Sequence, residues 1–255
     1  MILPSEYLGR TTSVPAHERR AQIAKRAIDI ALSSVGLLLL IPVFGVIAVA
    51  LKLDSRGPIL YGQVRVGLNR RQRPGIAGNG DGNGNAHGHA ESIRRRGEGA
   101  VSDERKKDAF GRLFKIYKFR SMVVDAEKNT GPVWAAKSDS RITRVGAFLR
   151  KTRLDETPQL WNVLRGEMSL VGPRPERPTF VDELSRTLPE YPMRCDTLPG
   201  ITGLAQVKWQ YDTSIETVNR KLEYDLYYVR HRRLLLDLKI MAATVKVMAR
   251  GEGAH

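Results

Sequence analysis

The apolar positions of this chain change their spacing from one region to the next. From Ala31 to Leu51 the sequence ALSSVGLLLLIPVFGVIAVAL carries no charge. At ~1.5 Å per residue such a run is long enough for a hydrocarbon core of ~30 Å. Ile59–Val66 and Leu113–Phe119 (LFKIYKF) alternate apolar and polar positions, which predicts two short strands that pair as a hairpin. Helical spacing then predicts helices over roughly 121–129, 141–150, 158–165, 176–187, 214–230 and 234–249. Pro- and Gly-rich loops, VGPRP at 171–175 and LPGITG at 198–203, separate some of them. Residues 69–109 break every pattern: Gly, Asn, His and Arg dominate, and Ile76, Ile93 and Val101 are the only apolar side chains larger than Ala. Such a segment cannot bury enough surface to offset its chain entropy and reads as a disordered insert in the hairpin connection. The organisation expected is a flexible tail at 1–20, a membrane-embedded helix at 21–53, and a cytoplasmic domain at 54–250 that carries the insert.

Two topologies fit the apolar run. A spanning helix is the default reading. Pro42 sits near its middle, where it removes a backbone hydrogen bond and favours a kink. Cations also flank both ends, Arg19, Arg20, Lys25 and Arg26 before it and Lys52, Arg56 and Arg65 after it. Spanning helices normally show asymmetry in this respect. A re-entrant hairpin with both ends in the cytoplasm has the symmetry observed. Near the C-terminus, Leu235, Leu238, Ala242, Val245 and Met248 form one helical face, which suits either an interfacial helix or one packed on the core.

Charge narrows the partners. Of 255 residues, 42 are Lys or Arg and 27 Asp or Glu, a net charge of +15. Anionic ligands are expected: phosphates, an anionic membrane surface or nucleic acid. The chain has no nucleic-acid motif, and that reading leaves the apolar run unexplained. It has no P-loop, no G-x-G-x-x-G after a strand and no H-E-x-x-H. Its one cysteine, Cys195, excludes a disulfide within the chain and suits a reducing compartment. His87 and His89 form an H-x-H pair within the insert, where a solvated loop is the simpler reading.

The candidate chemistry lies at Arg153–Asn162 (RLDETPQLWN) and in the Gly-Pro-Arg-Pro that starts at Gly172. Thr157 is the expected N-cap of a helix, Pro158 its first residue and Gly166 its stop. Asp155 and Glu156 then stand at a helix start among Arg150, Lys151, Arg153 and Arg174. Adjacent carboxylates at such a place commonly do no more than meet the helix dipole. Surrounded by cations, they also suit the joint binding of a divalent metal and a polyphosphate, the apparatus of phosphoryl transfer.

Five motifs in order carry a resemblance: KRAIDIALS at 25–33, FKIYKFRSM at 114–122, LDETPQLWNVLRGEMSLVGPRP at 154–175, PGITGLAQV at 199–207 and YDLYYV at 224–229. Over about Lys25 to Ala249, apart from the insert, the chain resembles the catalytic domain of the bacterial sugar transferases, the monotopic phosphoglycosyl transferases. The four-helix membrane portion of the larger members has no counterpart here. The resemblance implies an α+β, mostly helical fold: a re-entrant membrane helix-hairpin broken at Pro42, a small β-hairpin, and several helices at the membrane surface. Members often have Ser-Pro at that break; this chain has Ile41-Pro42 and lacks the hydroxyl that would satisfy a freed carbonyl.

The resemblance also implies an activity. A sugar phosphate moves from a nucleoside diphosphate sugar, a UDP-sugar, to polyprenyl (undecaprenyl) phosphate at the cytoplasmic face of the bacterial inner membrane, as the first step of glycan assembly. Asp155 is the expected nucleophile and forms a covalent phosphosugar. Glu156 helps it hold Mg²⁺. Lys118, Arg120, Arg150 and Arg174 are the expected phosphate ligands. Arg153 and Lys151 read as surface charge toward lipid phosphates, and Gln159 and Gln206 as substrate-reading or structural. Membrane lipids are expected partners, with downstream glycosyltransferases and a homodimer left open. A membrane-tethered scaffold without catalysis is the alternative of a different class. Which sugar is carried is not readable from the chain.

Overall fold

A computed structural model describes residues 16–69, 110–124, 126, 139–208 and 215–250. The chain opens with helix α1, Ala16–Asp54, of 39 residues. Helix therefore begins inside the tail expected at 1–20. Pro42 lies within α1, and the residues on both sides of it are helical. The hairpin expected there is a single helical element containing a proline, not two helices joined by a loop. Proline removes one intrahelical hydrogen bond, and packing on both flanks of it holds the remainder. Asp29, Ser33, Ile47 and Leu51 are buried along one stripe of α1. Leu32, Val35, Leu38, Leu39, Ile41, Val46, Val49 and Leu53 are exposed around the rest. Among the described residues, α1 is the one helix long and apolar enough to cross a membrane.

Strands β1 (Leu60–Val66) and β2 (Leu113–Phe119) pair antiparallel, from Leu60 opposite Phe119 to Val66 opposite Leu113. This is the expected hairpin, one residue shorter at its start. The insert connecting its strands lies outside the described residues from position 70 to 109. No helix forms at 121–124, where one was expected; Met122 instead bridges Ile142 in antiparallel fashion, and residues 127–129 of that expectation lie outside the described residues.

Helix α2 (Arg144–Thr152) is capped by the Thr143 hydroxyl, which accepts from the Gly146 N–H at 3.0 Å. A 3-10 turn at Leu154–Glu156 leads into helix α3 (Gln159–Leu164). Gly166 ends α3 with φ of +75°, as its glycine predicted. Strand β3 (Ser169–Val171) then pairs with β4 (Gly200–Thr202) in parallel, an arrangement the sequence pattern did not reveal. The chain crosses closely there, and a Cβ added to Gly172 would collide with Leu198 O. Helices α4 (Pro178–Thr187), α5 (Leu204–Lys208), α6 (Ile215–His231) and α7 (Leu234–Ala249) complete the fold, with a second 3-10 turn at Tyr191–Asp196.

Several small cores join these elements. Val66, Val181, Leu184, Tyr191, Cys195, Val218, Leu222 and Leu226 pack α4 and α6 against the end of β1. Phe114, Ile116, Val163 and Met168 pack β2 against α3. Ile47 and Leu51 of α1 pack on Phe119 and Leu149, and the Phe44 ring meets Phe119 edge-on at 5.0 Å. Polar contacts fix the other end of α1. Arg26 donates to Val163 O at 2.6 Å and Leu164 O at 2.9 Å, which satisfies the last carbonyls of α3. Asp29 accepts from the Leu170 N–H at 3.1 Å, and Lys25 pairs with Asp237 of α7 at 2.6 Å. The segment from α2 to β3 is thus mounted along the apolar helix.

Candidate active site

The 3-10 turn is set by Arg153, the one non-glycine residue among those described with positive φ, +57°. It ends α2 in the left-handed region, and its N–H returns to Arg150 O at 3.1 Å. This tight reversal turns Asp155 inward, so that only 8% of it is exposed. Thr157 does not cap α3. Its backbone is helical, and its hydroxyl donates to Leu154 O at 2.7 Å. The 3-10 turn runs directly into α3, so the N–H groups of Leu160 and Trp161 are taken by Thr157 O and Pro158 O at 3.1 Å. The free helix N-terminus expected beside the carboxylates is absent, and the positive field there comes from side chains.

Two cations hold Glu156. Lys118, near the end of β2, donates to its Oε1 at 2.7 Å. Arg174, in the loop after β3, forms a two-pronged pair, donating through Nη1 to Oε2 at 3.2 Å and through Nη2 to Oε1. Asp155 accepts no hydrogen bond from a described residue. The adjacent carboxylates therefore behave differently. Burial, then repulsion by Glu156, pushes the Asp155 carboxyl up to about 6, against the pull of Lys118, Arg174 and Arg150. Burial pushes Glu156 up as well, but Arg174 and Lys118 outweigh it and hold that carboxyl well below the usual range. Burial lowers Lys118 despite Glu156 beside it, whereas Glu156 raises Arg174. One carboxylate is a fixed anion locked to cations. The other is unencumbered and titrates near neutrality.

Sequence-predicted residues divide accordingly. Asp155, Glu156, Lys118 and Arg174 form one cluster, and the charge of Arg150 acts on Asp155. Arg120 is elsewhere. Its guanidinium donates to Leu51 O at 2.9 Å, Ser55 O at 2.8 Å and Arg56 O at 2.6 Å, capping the C-terminal end of α1. Strand alternation would have put it beside Lys118, but β2 ends at Phe119 and the chain turns. The structure does not bring it into the cluster around Asp155 and Glu156. Gln159 is buried in α3.

Other positioning residues escaped the sequence reading. Asn162, fully buried in α3, donates to Lys115 O at 2.8 Å and Glu167 Oε2 at 2.7 Å, tying α3 to the strand that carries Lys118. The loop with Arg174 is held on its backbone: Lys25 donates to Val171 O at 3.2 Å, Arg194 to Arg174 O at 2.9 Å and Arg65 to Pro175 O at 3.1 Å. Arg194 is paired in turn with Asp225 of α6 at 2.7 Å, and Arg65 with Glu176 at 3.2 Å. In the sequence Arg65 reads as one of the charges flanking the apolar run; in the fold it binds Pro175 and Glu176 instead.

Among the described residues no three His, Cys, Asp or Glu side chains group closely enough to hold a metal by themselves. Two adjacent hard oxygen donors, one of them free of hydrogen bonds, still suit Mg²⁺, which commonly takes one or two carboxylates and completes its shell with phosphate and water.

A profile described as bacterial sugar transferase matches residues 20–74 and 92–251. The chain belongs to that family. It is 37% identical over 231 residues to a UDP-N-acetylgalactosamine-undecaprenyl-phosphate N-acetylgalactosaminephosphotransferase of Aeromonas hydrophila, covering 91% of this chain and 45% of the relative. It is 35% identical over 226 residues to a UDP-glucose:undecaprenyl-phosphate glucose-1-phosphate transferase of Escherichia coli K12, covering 88% and 40%. A UDP-galactose-lipid carrier transferase of Erwinia amylovora is 41% identical over 177 residues, 64% of this chain and 36% of that one. The chain spans less than half the length of each of these relatives.

Proposed function

We propose that the protein transfers a sugar phosphate from a nucleoside diphosphate sugar, a UDP-sugar, to undecaprenyl phosphate, giving polyprenyl diphosphate sugar and UMP. The observation that carries this reading is the division of labour between Asp155 and Glu156. A carboxylate oxygen of Asp155 bonds to the sugar-proximal phosphorus as the diphosphate bridge breaks, and the bridging oxygen leaves with the nucleoside monophosphate. An oxygen of the lipid phosphate then attacks the same phosphorus, the bond to Asp155 breaks, and the carboxylate is restored. The diphosphate is already activated, so charge neutralisation is the main task left to the protein. Lys118 and Arg174 are the cations for it. Each exchanges part of its contact with Glu156 for phosphate oxygens, and Arg150 adds positive potential at Asp155. Asp155 and Glu156 are the residues that would hold Mg²⁺, which when bound supplies further neutralisation of phosphate charge.

The acceptor phosphate sits at the depth of lipid headgroups, and α1 suits that location. Lys25, Arg26 and Asp29 at one end of α1, and Leu51 and Ser55 at the other, all bind the same folded body. A crossing helix would separate its ends by the bilayer. This supports a re-entrant α1 that dips into the cytoplasmic leaflet of the inner membrane with its exposed apolar side chains, and Pro42 is where such a helix bends. The relatives name different sugars, so the sugar is left to experiment, as is the glycan that follows. The test is UMP release by the full chain in lipid nanodiscs with Mg²⁺, undecaprenyl phosphate and a panel of UDP-sugars. Release with one sugar, lost in Asp155→Asn, supports the reading. No release from any donor, by folded protein, favours a non-catalytic membrane scaffold.

A further inference from the structure

The loop that carries Arg174 is held along its backbone by two kinds of donor. Strands hold its neighbours: the Gly172 N–H donates to Thr202 O, the Gly200 N–H to Pro173 O and the Val66 N–H to Glu176 O, each at 2.9 Å. The carbonyl of Arg174 itself accepts from a side chain, Arg194, at 2.9 Å. Arg194 stands in the 3-10 turn at Tyr191–Asp196 and is only 8% exposed. The Nη2 that donates to Arg174 O also donates to Asp225 Oδ2 of α6 at 2.7 Å, and Nη1 donates to the Tyr191 hydroxyl. Asp225 and Tyr191 are buried too.

A buried ion pair is an inefficient way to stabilise a fold. Removing two charges from water offsets most of their attraction, and apolar side chains of similar volume commonly do as well. What this pair supplies is direction. A guanidinium is planar with its donors in a fixed fork, so anchoring it on Asp225 and Tyr191 fixes the direction of the N–H left for Arg174 O. Pro173 and Pro175 flank Arg174 and narrow its backbone, so holding that one carbonyl largely fixes where its side chain starts. A charged group that must meet a transferring phosphoryl group gains from this, because small misplacements cost rate steeply.

We infer that Arg194, locked by Asp225 and Tyr191, is a positioning residue for the transfer reaction, and that it acts through the backbone of Arg174. It keeps the Arg174 guanidinium where it meets Glu156 and the donor phosphate, and it refers that position to α6. This deepens the proposed function and rests on it. Because the strands hold the loop on both sides of Arg174, loss of Arg194 loosens the aim of one side chain and leaves the loop in place.

The experiment is a double-mutant cycle on single-turnover UMP release by the full chain in nanodiscs. Arg194→Met alone leaves Asp225 buried without its partner, so both charges are removed together in Arg194→Met/Asp225→Leu. Arg194→Lys is the milder change and carries the test if the paired variant does not fold. Both are made in the wild type and in Arg174→Ala. Hydrogen exchange of the segment 172–177 is followed on the same proteins by mass spectrometry, with the amides of β2 as reference. In the wild-type background the rate should fall about thirtyfold in the paired variant and about fivefold in Arg194→Lys. Exchange at 172–177 should rise about tenfold in the paired variant and measurably in Arg194→Lys, with β2 unchanged. In the Arg174→Ala background the same changes should cost less than about twofold in rate. A loss of equal size in both backgrounds overturns the inference, because Arg194 then touches substrate itself or supports the whole fold, and the β2 reference separates these two. Rate and exchange equal to those of the wild type overturn it also. If the wild type releases no UMP from any donor, the transferase reading fails by that result alone, and exchange at 172–177 still decides whether Arg194 holds Arg174: no rise overturns the positioning role.

Discussion

Asp155→Asn should stabilise the protein, and only where Asp155 is ionised. The carboxyl titrates at about 6 in the fold, against 3.8 for the ordinary group. Between those values the folded state binds more protons than the unfolded chain, so stability falls as pH rises through this window. The full effect is present above pH ~7 and vanishes below pH ~4. A shift of roughly two units at ~1.4 kcal/mol each corresponds to about 3 kcal/mol of destabilisation by the ionised side chain. Asn keeps the shape, removes the charge and should recover most of that amount. For a chain of this size the gain is about 6–12 °C in Tm. The assay is thermal unfolding in nanodiscs, followed by intrinsic fluorescence, at pH 8.0, 6.0 and 4.0. The reasoning predicts a large gain at pH 8.0, an intermediate one at pH 6.0 and almost none at pH 4.0. An Asp155→Asn variant no more stable than wild type at pH 8.0, or equally stabilised at every pH, refutes it.

Other consequences follow from the same cluster and its supports. Glu156→Gln removes the repelling neighbour and frees Lys118 and Arg174 to face Asp155, so the acid limb of kcat/KM, expected near pH 6 in the wild type, should move to lower pH while the maximum rate falls; a limb that stays in place contradicts the assigned cause. Arg120→Met should cost about 3 kcal/mol of stability, as expected for losing charged hydrogen bonds to buried and half-buried carbonyls, with donor KM within twofold; a selective rise in donor KM with unchanged stability would support the phosphate role instead. Arg26→Ala leaves Val163 O and Leu164 O without their donor and should destabilise by about 1–3 kcal/mol, measured as lost Tm; an unchanged Tm removes α1 from the support of α3.

The reach of the sequence depended on distance along the chain. Asp155 and Glu156 are neighbours, Arg174 follows in the Gly-Pro-Arg-Pro motif, and Lys118 lies on a strand whose alternation is plain. Local motifs, and the family resemblance that they carry, were enough to collect them. The β-hairpin and the termini of α4, α6 and α7 were legible for the same reason. Arg120 lies apart from the cluster because β2 ends at Phe119 and the chain turns there, which no local pattern announces. Thr157 was misread because cap preferences describe a helix that starts from extended chain, and here a 3-10 turn precedes it. The supports were out of reach altogether. Lys25 meets Asp237 across 212 positions and Arg26 meets Val163 across 137. Cations at the start of an apolar helix read as flanking charges that report topology until the folded body that they clamp is known. The short parallel pair of β3 and β4, three residues each, is too brief for periodicity to declare.

The central claim is that Asp155 becomes covalently bonded to the transferred phosphosugar, and it is tested most directly with a UDP-sugar carrying a labelled sugar-proximal phosphate. Full chain in nanodiscs without lipid acceptor should retain label on the protein, release an equal amount of UMP, and lose the label when undecaprenyl phosphate is added. Mass spectrometry should place the modification on Asp155, and Asp155→Asn should retain none. Turnover with the acceptor but no labelled protein without it, and none during turnover, would contradict the account and assign direct transfer from donor to lipid.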